Sequence, residues 1–131
     1  MKADINKINL SIEIMMYGHI CVEIEHEDST YIKINTASDG SQCKEFSFSL
    51  NSTNYQMFTE QIANILNPLN FIDGVCELYD SDDGINWTLD VYSSNQFSII
   101  SSEKSLLLSS IAKIIEENFS INNMISDFLN M

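Results

Sequence analysis

The chain has 131 residues, with 19 acidic side chains, six lysines and no arginine, so its formal net charge is −13. Direct binding to nucleic acid is excluded, because neutralising phosphates requires many lysines or arginines. A membrane span is also excluded, since no apolar run approaches the ~20 residues that cross a bilayer. An apolar fraction of 44% is too high for a disordered chain. The length is typical of one domain, and we expect residues 1–131 to fold as one.

Alternating apolar and polar residues predict four antiparallel strands in the first fifty positions. This period of two places every second side chain on one buried face. Turns are expected at Tyr17-Gly18 and at Asp39-Gly40. The inward positions are Ile8, Leu10, Ile12, Ile14 and Met16, then Ile20, Val22 and Ile24, then Ile32 and Ile34, and finally Phe46, Phe48 and Leu50. The opposite, wet face is expected to carry Glu13, Glu23, Glu25 and Lys33.

A helix and three further strands are expected next. Residues 53–66 carry the apolar stripe of an amphipathic helix, which Asn67-Pro68 ends. A short strand over residues 75–79 is expected to form a hairpin, through an Asp-Gly loop, with the strand that contains Trp87. Residues 97–100 are expected to form another strand. The alternation around Trp87 predicts that its side chain belongs to the core.

Two amphipathic segments complete the chain. One helix is expected to follow Ser102, and a separate helix is expected over residues 120–130, after a kink near Asn118. The order of elements is therefore strands, helix, strands, helices. This order predicts an α+β fold in which helices pack on one face of an antiparallel sheet, a meander of strands.

No motif of an enzyme or of a cofactor site occurs. The sequence lacks a phosphate-binding Gly-rich loop, a serine-hydrolase elbow and a zinc-protease motif. His19 and His26 are seven positions apart on one strand, so they face opposite sides and do not share a metal ion. The run from Asp80 to Gly84 lacks the ligand spacing of a calcium loop, and a hydrated hairpin turn explains it better. We expect no enzyme, no metal and no cofactor.

Cysteine usage predicts a cytoplasmic location. Cys21, Cys43 and Cys76 are odd in number and include no C-x-x-C pair, which is typical of reduced thiols. The first residues also lack the apolar stretch of a secretion signal.

Acidic residues concentrate in two groups. The first group, Glu23, Glu25, Glu27 and Asp28, lies along the second strand and at its end. The second group lies between Lys44 and Lys104, a segment with nine acids and no basic residue. Solubility is the simplest explanation, since a large net charge keeps proteins apart. Acids at alternate positions of one strand nevertheless repel each other, and a cationic partner relieves that repulsion. Both groups are therefore candidates for binding a basic protein.

Tyrosines beside the second group strengthen this hypothesis, because tyrosine is a common anchor at protein interfaces. The candidate partner-binding residues are Glu23, Glu25, Glu27, Asp28, Tyr79, Asp80, Asp82, Asp83, Asp90 and Tyr92. The sequence does not choose between the two groups.

In size, acidity, unpaired cysteines and lack of active-site motifs, the chain resembles the immunity proteins of bacterial toxin systems such as contact-dependent growth inhibition. The resemblance implies an antitoxin that binds the toxic domain of a delivered effector, often a basic nuclease, and neutralises it. We expect a carboxylate-lined surface to meet a Lys/Arg-rich toxin surface, and the protein to be a monomer or weak dimer.

Three other functions stay open from the sequence. A type III secretion chaperone is also small, acidic and α+β, but such chaperones usually begin with a helix, whereas this chain begins with a strand. An enzyme that uses scattered acids or a cysteine comes next, followed by a DNA-mimic anti-restriction protein.

Overall fold

The computed structural model describes residues 5–26, 30–38, 44–50, 52–66, 74–78, 84–93, 96–102 and 106–130. These residues form seven strands and three helices. In chain order the elements are β1 (Lys7–Ile14), β2 (Gly18–His26), β3 (Thr30–Ser38), β4 (Lys44–Leu50), α1 (Ser52–Leu66), β5 (Gly74–Leu78), β6 (Ile85–Tyr92), β7 (Gln96–Ser101), α2 (Leu106–Phe119) and α3 (Met124–Leu129).

The seven strands form one sheet in the order β4-β3-β2-β1-β6-β7-β5. The first four strands are an antiparallel meander, as their alternation predicts. β1 also pairs with β6 in antiparallel orientation, and β6 pairs in the same way with β7. The predicted α+β class, with an antiparallel sheet and helices on one face, is confirmed.

The predicted hairpin between β5 and β6 is wrong. β7 lies between these strands, and β5 runs parallel to β7 at the edge of the sheet. Both sides of β6 are occupied, one by β1 and the other by β7. Sequence neighbours joined by a short turn pair readily, so β7 takes the place beside β6 and leaves β5 the outer position.

One apolar core fills the space between the helices and one face of the sheet. Inward strand residues such as Leu10, Ile32 and Trp87 are at most 1% exposed. Phe58 of α1 and Ile111 of α2 belong to the same core. Burying each such side chain stabilises the fold by about 1.5–3 kcal/mol, so this apolar face holds the helices.

Aromatic contacts fix where the helices lie. The hydroxyl of Tyr55 in α1 donates a hydrogen bond to the carbonyl of Ile5, just before β1. The same ring stacks on His26 with centroids 4.2 Å apart, and burial raises the pKa of Tyr55 to about 12. At the other end of the sheet, Phe128 of α3 packs against Tyr17 with centroids 5.4 Å apart.

Met16 was expected to face the core, and this prediction is wrong. β1 ends at Ile14, and Met16 lies in the turn before β2 with 88% of its surface exposed. Its φ of 63° places it in the left-handed region, which a long side chain rarely adopts. The apolar alternation thus extends two residues beyond the strand because the turn itself contains methionines.

The last helix is shorter than the expected range of residues 120–130, since α3 covers only Met124–Leu129. Ser120 and Asn122 have φ values of 54° and 57°, which interrupt the helix directly after α2. The amphipathic spacing still identifies Ile125 and Leu129 correctly as buried residues.

A buried glutamate joins α2 to α3. Glu116 is 5% exposed, and its carboxylate accepts hydrogen bonds from the backbone N–H of Ser126 at 2.7 Å and from the Ser126 hydroxyl at 2.6 Å. The carbonyl of Glu116 also accepts a hydrogen bond from the N–H of Ile121 at 3.3 Å. The first N–H groups of a helix have no partner within it, so this carboxylate caps α3 from outside the helix.

We predict that Glu116→Ala lowers the free energy of unfolding by about 1.5–3 kcal/mol, because it removes two charge-assisted hydrogen bonds. The neighbouring Glu117 is exposed, and Glu117→Ala is expected to change stability by less than about 0.5 kcal/mol. Urea denaturation of both variants measures the difference. Equal losses would contradict the role of Glu116 as the link between the helices.

Candidate functional site

The face of the sheet opposite the helices carries the polar side chains of the central strands. We call this surface the open face. On β1, β2 and β6 its residues alternate with the buried ones. The open-face residues of these strands are Lys7, Asn9, Ser11 and Glu13 on β1, His19, Cys21, Glu23 and Glu25 on β2, and Asn86, Thr88, Asp90 and Tyr92 on β6.

The open face brings together members of both acidic groups. β1 lies between β2 and β6, so Asn9 is opposite Glu23 on one side and opposite Asp90 on the other. Glu23 and Asp90 are two strand spacings apart, which corresponds to a distance of about 10 Å between their backbones. In the same way, Glu25 and Tyr92 flank Lys7. The two groups therefore contribute to one surface through these four predicted residues.

The remaining predicted site residues lie outside the described residues. They are Glu27, Asp28, Tyr79, Asp80, Asp82 and Asp83. The Asp-Gly loop considered for calcium also lies outside the described residues, apart from Gly84 at its end.

The Glu25 carboxylate is held by neighbours on the open face. It accepts a hydrogen bond from the Tyr31 hydroxyl at 2.6 Å and forms an ion pair with Lys7 at 3.3 Å. The Lys7 ammonium also lies 5.8 Å from the ring centroid of Tyr92. Chiefly through the Tyr31 hydrogen bond, and further through Lys7 and Lys33, the pKa of Glu25 is lowered. The negative charge of Glu25 is therefore already balanced in part by Lys7 and by the Tyr31 hydroxyl.

Asp90 and Asn9 form the centre of the open face. Asp90 accepts a hydrogen bond from the Ser98 hydroxyl of β7 at 2.6 Å. The side-chain oxygen of Asn9 is buried and receives no hydrogen bond within the described residues. An unsatisfied buried acceptor costs about 1–3 kcal/mol.

Sequence reasoning missed Asn9, Lys7 and Tyr31 as parts of this surface. Alternation places Lys7 and Asn9 on the outer side of β1, but it does not show that β6 pairs with that strand. Tyr31 is 41% exposed, and the signal that could have identified it is its outward position next to Ile32. Strand partners, which alternation does not encode, decide which outward residues meet.

The two histidines face opposite sides of β2, as predicted. His19 is exposed on the open face, whereas His26 stacks on Tyr55 and its Nδ1 lies 2.5 Å from the Thr30 hydroxyl. The Cys21 thiol lies 3.7 Å from the Ser11 hydroxyl. Within the described residues, no three His, Cys, Asp or Glu side chains are grouped so that they could hold a metal ion.

Comparisons with known proteins give no family for this chain. Neither the models of known protein families nor the curated protein sequences match it. In the described part of the chain, none of the helices has the length and apolar character needed to cross a membrane.

We predict that Tyr31→Phe raises the pKa of Glu25 toward the usual value of a glutamate, because the hydroxyl is the largest cause of the shift. A lowered folded-state pKa stabilises the fold above the unfolded pKa, and this stabilisation is lost as the pH falls through the folded value. Carboxyl-carbon NMR titration measures the change directly.

Lys33→Met is the control, since Lys33 is the smallest contributor to the same shift. It should move the Glu25 pKa upward by less than Tyr31→Phe does. A larger effect from the lysine variant would show that long-range charge, rather than the hydroxyl, controls this carboxylate.

Proposed function

We propose that this chain is an immunity protein that binds a cognate bacterial toxin domain through the open face and neutralises it. The single observation that carries the proposal is the convergence of Glu23 and Glu25 of β2 with Asp90 and Tyr92 of β6 on the sheet face opposite the described helices. Tyrosine is enriched at protein interfaces, and a cluster of charges of one sign attracts a partner of opposite charge.

The toxin that fits this surface is a basic protein, such as a nuclease. A nuclease holds phosphates with lysines and arginines, and the carboxylates of the open face present the same sign of charge as that substrate. Attraction between opposite potentials raises the association rate to about 10⁸–10⁹ M⁻¹s⁻¹ at low salt. In the cytoplasm of the producing cell, such a rate would allow the toxin to be caught before it reaches nucleic acid.

Glu25 is expected to contribute less than Asp90 to this attraction. Its carboxylate is already paired with Lys7 and with the Tyr31 hydroxyl. A toxin cation would have to compete with these contacts. Asp90 has a neutral hydroxyl as its partner, so its negative charge remains available to a cation.

We predict that the double variant Glu23→Gln with Asp90→Asn slows association with the toxin about tenfold at low salt, because long-range attraction controls the association rate. The difference from the wild-type rate should shrink as salt rises. The toxin is sought among the products of the genes adjacent to the gene of this chain, and stopped-flow association with its purified domain measures both effects.

The control removes the same charge from the helix side of the molecule. Glu60 of α1 and Glu117 of α2 are exposed there, and Glu60→Gln with Glu117→Gln should slow association by less than about twofold. Equal slowing by both double variants would mean that net charge, rather than the open face, attracts the toxin. Failure of the wild-type chain to bind the toxin or to protect cells from it would overturn the proposal.

A further inference from the structure

The turn between β1 and β2 exposes two methionines. We call its three residues, Met15, Met16 and Tyr17, the methionine turn. The side chains of Met15 and Met16 are 62% and 88% exposed, whereas Met124 of α3 packs against the core. An apolar side chain stabilises the fold through the surface that it removes from water. Met16 therefore contributes almost nothing to the stability of the fold by burial.

The backbone conformation of Met16 also disfavours a long side chain. The N–H of Tyr17 donates a hydrogen bond to the carbonyl of Ile14 at 3.0 Å, so Met15 and Met16 are the two central residues of a β-turn. The φ of Met16 is 63°, and a positive φ at this turn position favours glycine or asparagine. Neither burial nor backbone preference explains a methionine here. An unfavourable residue that is retained at an exposed site points to a role in binding.

Neighbouring elements fix the backbone of the methionine turn. The N–H of Met15 donates a hydrogen bond to the carbonyl of Gly84, directly before β6, at 2.7 Å. The Tyr17 ring packs against Phe128 of α3 with centroids 5.4 Å apart. The two methionine side chains therefore project from a backbone that is fixed at both ends of the turn. A backbone ordered before binding loses less conformational entropy in the complex, which suits a binding anchor.

The methionine turn adjoins the open face. Glu13 of β1 and His19 of β2 lie opposite each other beside the turn, and both are exposed. Asn9, at the centre of the open face, is six residues before Met15, which corresponds to about 20 Å along a strand. An interface of standard size covers about 800 Å² of each partner and is therefore roughly 30 Å across. One partner can thus contact the open face and the methionine turn together.

We propose that Met16, with Met15 beside it, inserts into an apolar pocket of the toxin while the open face contacts the basic surface of the toxin. This inference rests on the proposed function and adds an anchor that the acidic residues do not supply. Methionine is enriched at protein interfaces, and its unbranched side chain adapts to pockets of irregular shape. The apolar surface that Met16 exposes in the free chain is buried in the complex, which slows dissociation.

Charge favours a basic protein over other surfaces that could cover the two methionines. The chain has a net charge of −13, and the exposed carboxylate of Glu13 lies beside the turn. Anionic lipids repel such a chain. A second copy carries the same net charge and is repelled as well. A basic protein is attracted instead, and its apolar pocket is the complement of a projecting methionine.

The experiment replaces Met16 with a residue that suits the backbone but not an apolar pocket. Asparagine adopts a positive φ more readily than methionine does, so Met16→Asn should leave the melting temperature unchanged or raise it. Dissociation from the toxin domain found among the products of the adjacent genes should become at least about tenfold faster. Association should change by less than about twofold, because the net charge is unaltered. Thermal unfolding and surface plasmon resonance measure these quantities.

Two further variants are controls. Met57 of α1 is 57% exposed, and Met57→Asn makes the same substitution on the helix side of the molecule. It should change the dissociation rate by less than about twofold. Met16→Leu keeps an apolar side chain of similar volume at the turn, and its dissociation rate should stay within about threefold of the wild-type rate.

Three results would overturn the role of Met16 as an anchor. The first is dissociation of Met16→Asn at the wild-type rate, which would leave the proposed function unaffected. The second is a fall in both melting temperature and affinity, which would assign Met16 to the fold. The third is binding to anionic phospholipid vesicles, or a dimer in solution, that Met16→Asn abolishes. If the wild-type chain does not bind the toxin, the proposed function fails and this inference fails with it.

Position 16 also identifies the pocket. A diazirine amino acid in place of Met16 should crosslink to one toxin segment, which mass spectrometry then locates. We expect apolar residues in that segment and a lysine or arginine close to it, because Glu13 lies beside the turn. A crosslinked segment without apolar residues, or no crosslink in a complex that forms normally, would contradict the inference.

Discussion

The pairing of β1 with β6 is the interaction on which the rest of the structure depends. It joins the meander of the first half to the strands of the second half. Without it, Glu23 and Asp90 would belong to separate sheets, and no continuous polar surface would exist. The same pairing aligns Leu10 with Leu89 and Ile12 with Trp87 on the opposite face. One register therefore completes the core and the open face together, because successive side chains of a strand alternate between faces.

The distribution of charge on the sheet follows from the packing of the helices on only one of its faces. On β1, β2 and β6 the buried positions are apolar, so the charged residues of these three strands lie on the side without helices. Lys7 and Lys33 moderate the repulsion there, Lys7 by pairing with Glu25 and Lys33 by lying opposite Glu23. On the helix side, the carboxylate of the buried Glu116 accepts two hydrogen bonds from Ser126. Acidic residues therefore occupy two environments: Glu116 is internal and hydrogen-bonded, whereas Glu23 and Glu25 lie on the open face.

The sequence predicts local structure well and strand partners less well. Alternation correctly assigns β1 to β4 and the burial of Trp87, because apolar period reports which face of a strand is covered. It does not report that β6 lies beside β1 or that β5 lies beside β7, since these contacts join distant parts of the chain. It also extends the first strand to Met16, because a turn residue can be apolar without being buried. For the site, alternation places Glu23 and Glu25 outward, but only the register shows that Asp90 and Tyr92 share their surface.

The proposed function requires that the open face, rather than the helix side, contacts the toxin. Chemical-shift mapping of the isotope-labelled chain during titration with the proposed toxin domain tests this requirement. Binding through the open face should give the largest shifts at backbone amides around Ser11, Cys21 and Thr88, with small shifts at the exposed positions of α1 and α2. Large shifts confined to the helices, with the central strands unchanged, would show that the open face is not the binding surface.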